Sequence, residues 1–549
     1  MLAWLLRGFR QRWNGWIAIS GIGAAIALLP SLYIFTGIWG KPGENWGHIR
    51  DYMLIDYALQ SLLLVVCVVA LTVAVGVSLA WLTAAYEFPL RRILSFAFIL
   101  PLAIPPHIAA YTYGDMLSYT GTVQRLLRNG LGLKLNQAYF DVMSMQGAVF
   151  IFTMFLFPYV YLMAKSFLER HSASYIENAR LLGQHPLYIF VRVVLPISQG
   201  AIVGGASLVA FEVLNDYGVS KHFGIQTFTV GIFKTWFGMY DIESAIRLAA
   251  MLMSVIVGLF ILERLLRRRK RYHAAANRSA PLQRRKLTGF PAVAAVLFGS
   301  VVVLASFVIP VAQLTAWAVW TYADVWNDSF PELIGNTLAI CLAAVLLIML
   351  IAVIAANALH TWRSGFTLVA SKLLSMGYSM PGAVLSIGVL AVFLSLDHSL
   401  AGIYEWLGLG AGRLVLSMSI AMLLFAYVVR FLSVGFNAVD AGREKLGTRL
   451  SEASRMLGYS MTRTFFKAEL PLLRGALLTG AILSFMEVVK ELPLTLLLRP
   501  FNFNTLSTKA YQYASDEQIH YAALPSLLII ALGIISVSLF HLLGRRGHE

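Results

Sequence analysis

Apolar stretches long enough to cross a hydrocarbon core, a length of roughly 20 residues, recur about twelve times in this 549-residue chain. They lie near 16–38, 57–85, 94–118, 146–168, 196–220, 242–263, 289–318, 334–360, 367–395, 414–438, 471–497 and 522–543. Only 13% of residues are charged against 58% hydrophobic, and the mean hydropathy is +0.73. Soluble domains carry about 25% charged residues. The chain is therefore read as an all-α polytopic membrane protein of about 12 transmembrane helices.

A net charge of +16 suggests a nucleic-acid partner until the basic residues are located. They stand at Arg7, Arg10 and Arg12, at Arg91 and Arg92, from Arg264 to Lys286, at Arg363 and Lys372, and at Arg545 and Arg546. These segments alternate with the spans, so the positive-inside rule places both termini in the cytoplasm and removes the argument for nucleic acid. The run Arg267-Arg268-Arg269-Lys270-Arg271 reads as a linker held near anionic lipid headgroups. The first span has no small-residue cleavage site before Lys41 and is expected to stay as an anchor. Cys67 and Cys341 both fall inside spans, so neither a disulfide nor a thiolate metal site is expected.

Two loops are copies of each other. Glu177-Asn178-Ala179-Arg180-Leu181-Leu182-Gly183, closed by Leu195-Pro196, returns 275 positions later as Glu452-Ala453-Ser454-Arg455-Met456-Leu457-Gly458, closed by Leu470-Pro471. The same offset relates Pro106 to Pro381, Glu212 to Glu487 and Asp216 to Glu491. Each half holds an even number of spans, so both enter the membrane in one direction, as a parallel pseudo-twofold repeat. The organisation expected is a first half, 1–264, with its loop at 177–196; a basic cytoplasmic linker, 265–288; and a second half, 289–549, with its loop at 452–471.

Both loops face the cytoplasm by the charge rule, and Glu177 to Phe190 and Glu452 to Phe465 read as short amphipathic helices stopped before the Pro that opens the next span. Gly183 and Gly458 allow a tight turn or close backbone approach. A short helix fixed to two spans passes the displacement of a docked partner into them. No Gly-x-x-x-x-Gly-Lys-Ser/Thr run occurs, so ATP phosphates would have to be held by separate subunits.

These loops resemble the "EAA" loop of ABC importer permeases, in which Glu-Ala-Ala opens a short helix, Gly follows, and an Ile-x-Leu-Pro ending leads into a span. Asn178 and Ser454 replace one small residue in each copy, and Val193 and Ala468 stand where Ile would. The resemblance implies the type I ABC importer permease fold, in the bacterial inner (cytoplasmic) membrane. It makes Glu177, Ala179, Gly183, Pro196, Glu452, Ala453, Gly458 and Pro471 the ATPase-coupling residues. Because one chain supplies both couplers, a homodimeric ATPase pair carrying ATP and Mg is expected on one permease chain, with a periplasmic substrate-binding protein outside. This chain itself is expected to hold no cofactor and catalyse no bond chemistry.

Charges inside spans are costly, about 2.5–3.5 kcal/mol on insertion scales, and face a cavity or a partner. Glu212 and Asp216, like Glu487 and Glu491, are four residues apart, a spacing that puts both on one face of a helix. Four carboxylates related by the repeat suit a hard cation path; equally, they neutralise cations such as Lys490, Lys221 or Arg499. Phe211-Glu212-Val213-Leu214-Asn215-Asp216-Tyr217-Gly218, with Phe223-Gly224-Ile225-Gln226-Thr227-Phe228-Thr229 and Trp236-Phe237, resembles the first half of ferric-iron importer permeases. Met486-Glu487-Val488-Val489-Lys490-Glu491-Leu492-Pro493, running to Leu498-Arg499-Pro500-Phe501-Asn502-Phe503, resembles their second half. That likeness implies Fe3+ as substrate. An importer of thiamine, phosphonate or another small solute is the alternative within the class, and an ion-coupled secondary transporter the alternative outside it. Near the Pro-broken third span, Tyr111, Tyr113 and Asp115 are weaker ligand candidates read chiefly as interfacial anchors, and His107 as a packing partner.

Overall fold

The computed structural model describes residues 15–133, 136, 140–171, 173–268, 282–361, 371, 374, 380–408, 414–447 and 449–546. Arg7, Arg10, Arg12, Arg363, Lys372, the basic run 269–281 and the start of the span expected at 367–395 lie outside them. Among the described residues, eight helices are long and apolar enough to cross a membrane, and three bent pairs raise the number to eleven. The helix Gly15–Thr36 overlies the first expected span.

The bends carry the architecture. Arg91–Ala103 meets Pro106–Gly130 at 93°, Pro186–Ile197 meets Gln199–Asn215 at 73°, and Met461–Leu472 meets Arg474–Val489 at 71°. At the first, Pro105 and Pro106 remove two backbone donors, and the chain restarts with Pro106 at the head of the new helix. The second and third bends are repeat mates, each lying just after the loop's closing Leu-Pro.

The chain forms two compact units that do not coincide with its sequence halves. One comprises 1–41, 327–508 and 535–549; the other comprises 42–326 and 509–534. Within the former, Gly15–Thr36 packs against Gly382–Trp406 and Ser329–Thr361. Gly388 permits this, because a Cβ there would come within 2.5 Å of the Pro30 carbonyl oxygen. The latter unit takes in the seventh apolar stretch, Phe290–Val325, alongside the first-half spans. Each unit thus takes in the first span of the other half of the sequence.

The unit containing 42–326 is built around Met145–His171, which packs on Leu54–Ala85 and Gln199–Asn215. Small residues set the approach, as they do where helices associate without a hydrophobic drive from water. A Cβ on Gly76 would lie 2.9 Å from the Val160 Cβ, and one on Gly205 would lie 2.8 Å from the Val160 Cα. At one end, the Asp241 carboxylate accepts hydrogen bonds from the Asn45 backbone N–H at 2.9 Å, the Ser244 N–H at 2.9 Å and the Ser244 hydroxyl at 2.8 Å. Burial raises its pKa, and these donors outweigh burial to hold it below the ordinary carboxylate value.

Gly76→Leu or Gly205→Leu should cost roughly 1–3 kcal/mol through overpacking against Val160. The expected result is a lower thermal midpoint of the purified protein. Gly258→Leu, at a position with no neighbour within 4 Å of the new Cβ, should leave the midpoint unchanged.

Candidate coupling and cargo sites

The duplicated loops match bond for bond. Helices Ala173–Leu181 and Arg449–Met456 end at Gly183 and Gly458, whose φ values of +71° and +82° place them in the left-handed region. Gly183 donates to the Arg180 carbonyl at 3.0 Å and Gln184 to the Ala179 carbonyl at 3.2 Å. In the second copy, Gly458 donates to Arg455 at 3.0 Å and Tyr459 to Ser454 at 3.2 Å. This is a glycine-terminated helix end that satisfies the last carbonyls. A side-chain cap then starts the next helix at repeat-equivalent residues: His185 Nδ1 accepts the Leu187 N–H, and Ser460 Oγ accepts the Arg463 N–H.

The sequence reading of one amphipathic helix from Glu177 to Phe190, and of another from Glu452 to Phe465, is corrected here. The left-handed glycine ends one helix and a second begins at Pro186 or Met461. Pro196 and Pro471 do not terminate these second helices; they lie inside their last turns. A Pro has no N–H to give, and ahead of each one the bonding widens by a residue: Leu195 N–H reaches Phe190 O, and Leu470 N–H reaches Phe465 O.

The small residue required in each copy is the third. Ala179 and Ser454 are buried, while Asn178 and Ala453 are exposed. The tip is apolar and open in both, with Leu182 77% and Leu457 79% exposed beside Leu181 and Met456. The copies differ in their surroundings. Glu177 accepts the Gln283 N–H at 3.3 Å, and Arg180 donates to the Gln283 carbonyl at 2.7 Å and to the Ala85 carbonyl at 3.2 Å. The linker's end thus runs against the first loop, where Arg285–Lys286 pairs in parallel with Tyr86–Glu87. In the second copy, Glu452 and Arg455 are exposed. There the loop is held through Glu469, which pairs with Arg443 at 2.8 Å and accepts from the Ser451 hydroxyl.

The intramembrane carboxylates lie differently from the helical face the sequence suggested. Helix Gln199–Asn215 stops before Asp216, and Arg474–Val489 stops before Glu491. Each second carboxylate instead caps the short helix that follows. Asp216 Oδ1 accepts the Val219 and Ser220 N–H groups at 2.9 and 3.2 Å, and Glu491 Oε1 accepts the Leu494 N–H at 3.0 Å. Val219 and Leu494 are themselves repeat mates. Glu487 is paired with Lys490 at 2.8 Å, one of the partners expected for it. Glu491 is paired at 2.8 Å with Arg430, a buried mid-span cation absent from the sequence reading. The signal for Arg430 was its position inside an apolar span, where a charge needs a partner. Glu212 and Asp216 belong to one compact unit, Glu487 and Glu491 to the other.

Around the third span, Tyr111 and Tyr113 are buried inside the protein. The Tyr113 hydroxyl donates to the Ala305 carbonyl at 2.5 Å, and Asp115 sits 3.5 Å from His520. Among the described residues, no cluster of three or more His, Cys, Asp or Glu side chains could hold a metal ion. Cys67 and Cys341 are free.

Residues 73–272 and 348–547 each match the family model described as binding-protein-dependent transport system inner membrane component. The two matches start 275 residues apart (348 − 73), which is the offset of the loops. The chain is 26% identical over 478 residues to the Fe(3+)-transport system permease protein FbpB 2 of Haemophilus influenzae, covering 86% of this chain and 87% of that protein. Shorter likenesses reach a probable sulfate transport system permease protein cysT of Nephroselmis olivacea, 29% identical over 26% of this chain and 48% of the relative. The spermidine/putrescine transport system permease protein PotB of Escherichia coli is 25% identical over 33% of this chain and 65% of its own length.

Gly183→Val or Gly458→Val forces a β-branched residue into left-handed backbone, at about 1–2 kcal/mol. Open space surrounds both positions, so the strain is conformational and local. Each variant should reach the membrane in normal amount, and each should lose most of the transport that accompanies ATP hydrolysis, read as a fall in solute moved per ATP.

Proposed function

We propose that this chain, which belongs to the family of binding-protein-dependent transport system inner membrane components, is the fused translocation subunit of an ATP-driven importer of ferric iron. Membership makes it a multi-pass permease of the inner membrane, working with a binding protein and ATPase subunits. The two matching loops support the finer reading that one chain seats both ATPase subunits, with ATP and Mg held there. Their open apolar tips, Leu181-Leu182 and Met456-Leu457, offer two like footholds. Both loops, both termini and the linker 265–288 are assigned to the cytoplasm on the distribution of Lys and Arg.

Mechanically, each coupling helix enters its span through an elbow of 73° or 71°. Closure of an ATPase pair on ATP displaces each loop, and the elbows pass that displacement into the spans; hydrolysis reverses the movement. Pro196 and Pro471, within the last turns before the elbows, keep backbone donors away from the bend.

Ferric iron is preferred as cargo because one likeness, to the iron permease, runs through nearly the whole chain, whereas the sulfate and polyamine permeases match a third of it or less. The candidate path residues are Glu212, Asp216, Glu487 and Glu491, of which Glu487 pairs with Lys490 and Glu491 with Arg430. A metal path also requires weak, brief binding, since a tight site would block release.

Proteoliposomes holding this chain, its ATPase and its iron-loaded binding protein should accumulate radiolabelled iron when ATP is enclosed with the ATPase. Uptake should persist when ionophores collapse ion gradients. Iron-free transport of sulfate, a polyamine, thiamine or a phosphonate would replace the cargo assignment, and loss of uptake with the gradient would replace the energy source. Glu212→Gln and Glu487→Gln, alone and together, should lower iron uptake, with stimulated ATPase activity retained in each.

A further inference from the structure

Asp216 and its repeat mate Glu491 keep different company. Glu491 is closed off by Arg430, whereas among the described residues no Lys, Arg or His nitrogen pairs with Asp216. The hydrogen bonds it accepts from Val219 and Ser220 fall on Oδ1. Three phenols and an imidazole gather beside it, all within the unit of 42–326 and 509–534. The Tyr511 hydroxyl donates to the Tyr217 hydroxyl at 3.3 Å, with ring centroids 5.9 Å apart. The Tyr111 ring is 6.4 Å from that of Tyr511 and meets the His222 imidazole edge-on at 4.8 Å. Tyr217 is the residue directly after Asp216 in the chain.

Two buried polar atoms in this cluster have no hydrogen-bond partner among the described residues. The Tyr111 side chain is buried, at 3% exposure, and its hydroxyl has no hydrogen-bond partner among the described residues. The same is true of His222 Nε2. A buried polar group left unpaired is costly, so native structures rarely keep one without a reason. His222 is half-buried overall, and its Nε2 faces Gly114, where a Cβ would lie 2.8 Å away.

The repeat shows that the fold does not require this cluster. Tyr111, Tyr217 and His222 correspond at the 275-residue offset to Ser386, Leu492 and Leu497, all buried. There the Ser386 hydroxyl is used up on the Gly382 carbonyl, and Arg430 occupies the position equivalent to Phe155. The second half fills this place with apolar side chains and an ion pair. The first half leaves oxygen and nitrogen donors there beside an uncompensated carboxylate.

Resting on the ferric-iron reading above, we propose that Tyr111, Tyr217, Tyr511, His222 and Asp216 form a one-sided transit site for a hard trivalent cation. Phenolate and carboxylate oxygens suit such an ion. Each phenol that ligates it gives its proton to water and binds as phenolate, so loading releases protons. Tyr113 and Asp115, each held by another partner, stand outside the donor set.

The test uses the full chain in lipid nanodiscs, titrated with ferric nitrilotriacetate and followed by visible absorption, where phenolate-to-iron(III) charge transfer gives a band that carboxylate or imidazole ligation does not. The wild type should develop the band, and gallium(III) should bleach it by competition. Tyr111→Phe combined with Tyr511→Phe should remove the band or weaken apparent affinity by about tenfold or more, the lower end of what outer partners of a metal already contribute. Tyr113→Phe should keep it. Retained ATPase stimulation by the binding protein certifies that the double variant is folded. A wild type without the band, or a folded double variant with the band unchanged, overturns the site. If the wild type nevertheless imports iron in proteoliposomes, the function stands and the cluster is packing; if it imports none, the function reading fails and the site falls with it.

Discussion

Inside a hydrocarbon layer there is no water to accept an interrupted backbone, so every break in a helix must be closed by the protein itself. This constraint organises the molecule. After Asn215 and after Val489 the helices stop, and the freed N–H groups of the next short helices are taken by Asp216 and Glu491. The following helices are started by hydroxyls from the spans they lean on: Ser61 Oγ accepts the Phe228 N–H at 3.0 Å, and Thr337 Oγ1 accepts the Leu506 N–H at 2.9 Å. Broken helices thereby become rigid elements, with polar side chains fixed at membrane depth. The carboxylates that draw attention as a cargo path are structural caps first, and any passage of a cation borrows oxygens whose geometry the caps have already fixed.

The two halves share a backbone and differ in buried charge. Equivalent glycines, equivalent helix-end bonds and equivalent widened turns before Leu-Pro preserve the mechanical part, the loop that turns through about 70° into a span. The buried polar groups have diverged. Arg443 and Glu469 form an ion pair where the first half has Leu168 and Val194, both fully buried and apolar. Arg430 and Glu491 form another where the first half has Phe155 and Asp216. Removing one partner of such a pair leaves a buried charge and typically costs 3–5 kcal/mol, so each of these groups depends on its partner. On the proposed function, symmetric coupling and asymmetric interiors coexist because the loops would answer to two like ATPase subunits, whereas the interior would serve a single cargo path.

Much of this was readable from residues. Gly183 and Gly458 stand at a fixed offset because only a left-handed residue ends both helices in that way, and a 275-residue period betrays itself in any pair of loops that share it. The spans were legible because hydrocarbon imposes composition. Which neighbours a span chooses was not: Gly15–Thr36 is uniformly apolar, and nothing in it announces packing against Gly382–Trp406. The end of a helix between Glu212 and Asp216 was hidden for a related reason, since four-residue spacing mimics a helical face while the capping role of Asp216 depends on Val219 and Ser220 turning back toward it. Tyr511 was invisible as a partner of Tyr217 across 294 positions, and the repeat offered no help because its other copy had lost the phenols.

The central claim is that one chain carries two equivalent ATPase footholds. In a background with Cys67 and Cys341 replaced, single cysteines at Leu182 and at Leu457, and then both together, would be joined to a cysteine-bearing ATPase by a short bifunctional reagent, and the products weighed by denaturing mass spectrometry. The account predicts one ATPase attached to this 60.6 kDa chain for each single variant and two attached for the double variant. A loop that captures no ATPase, or a double variant that never carries more than one, would contradict it.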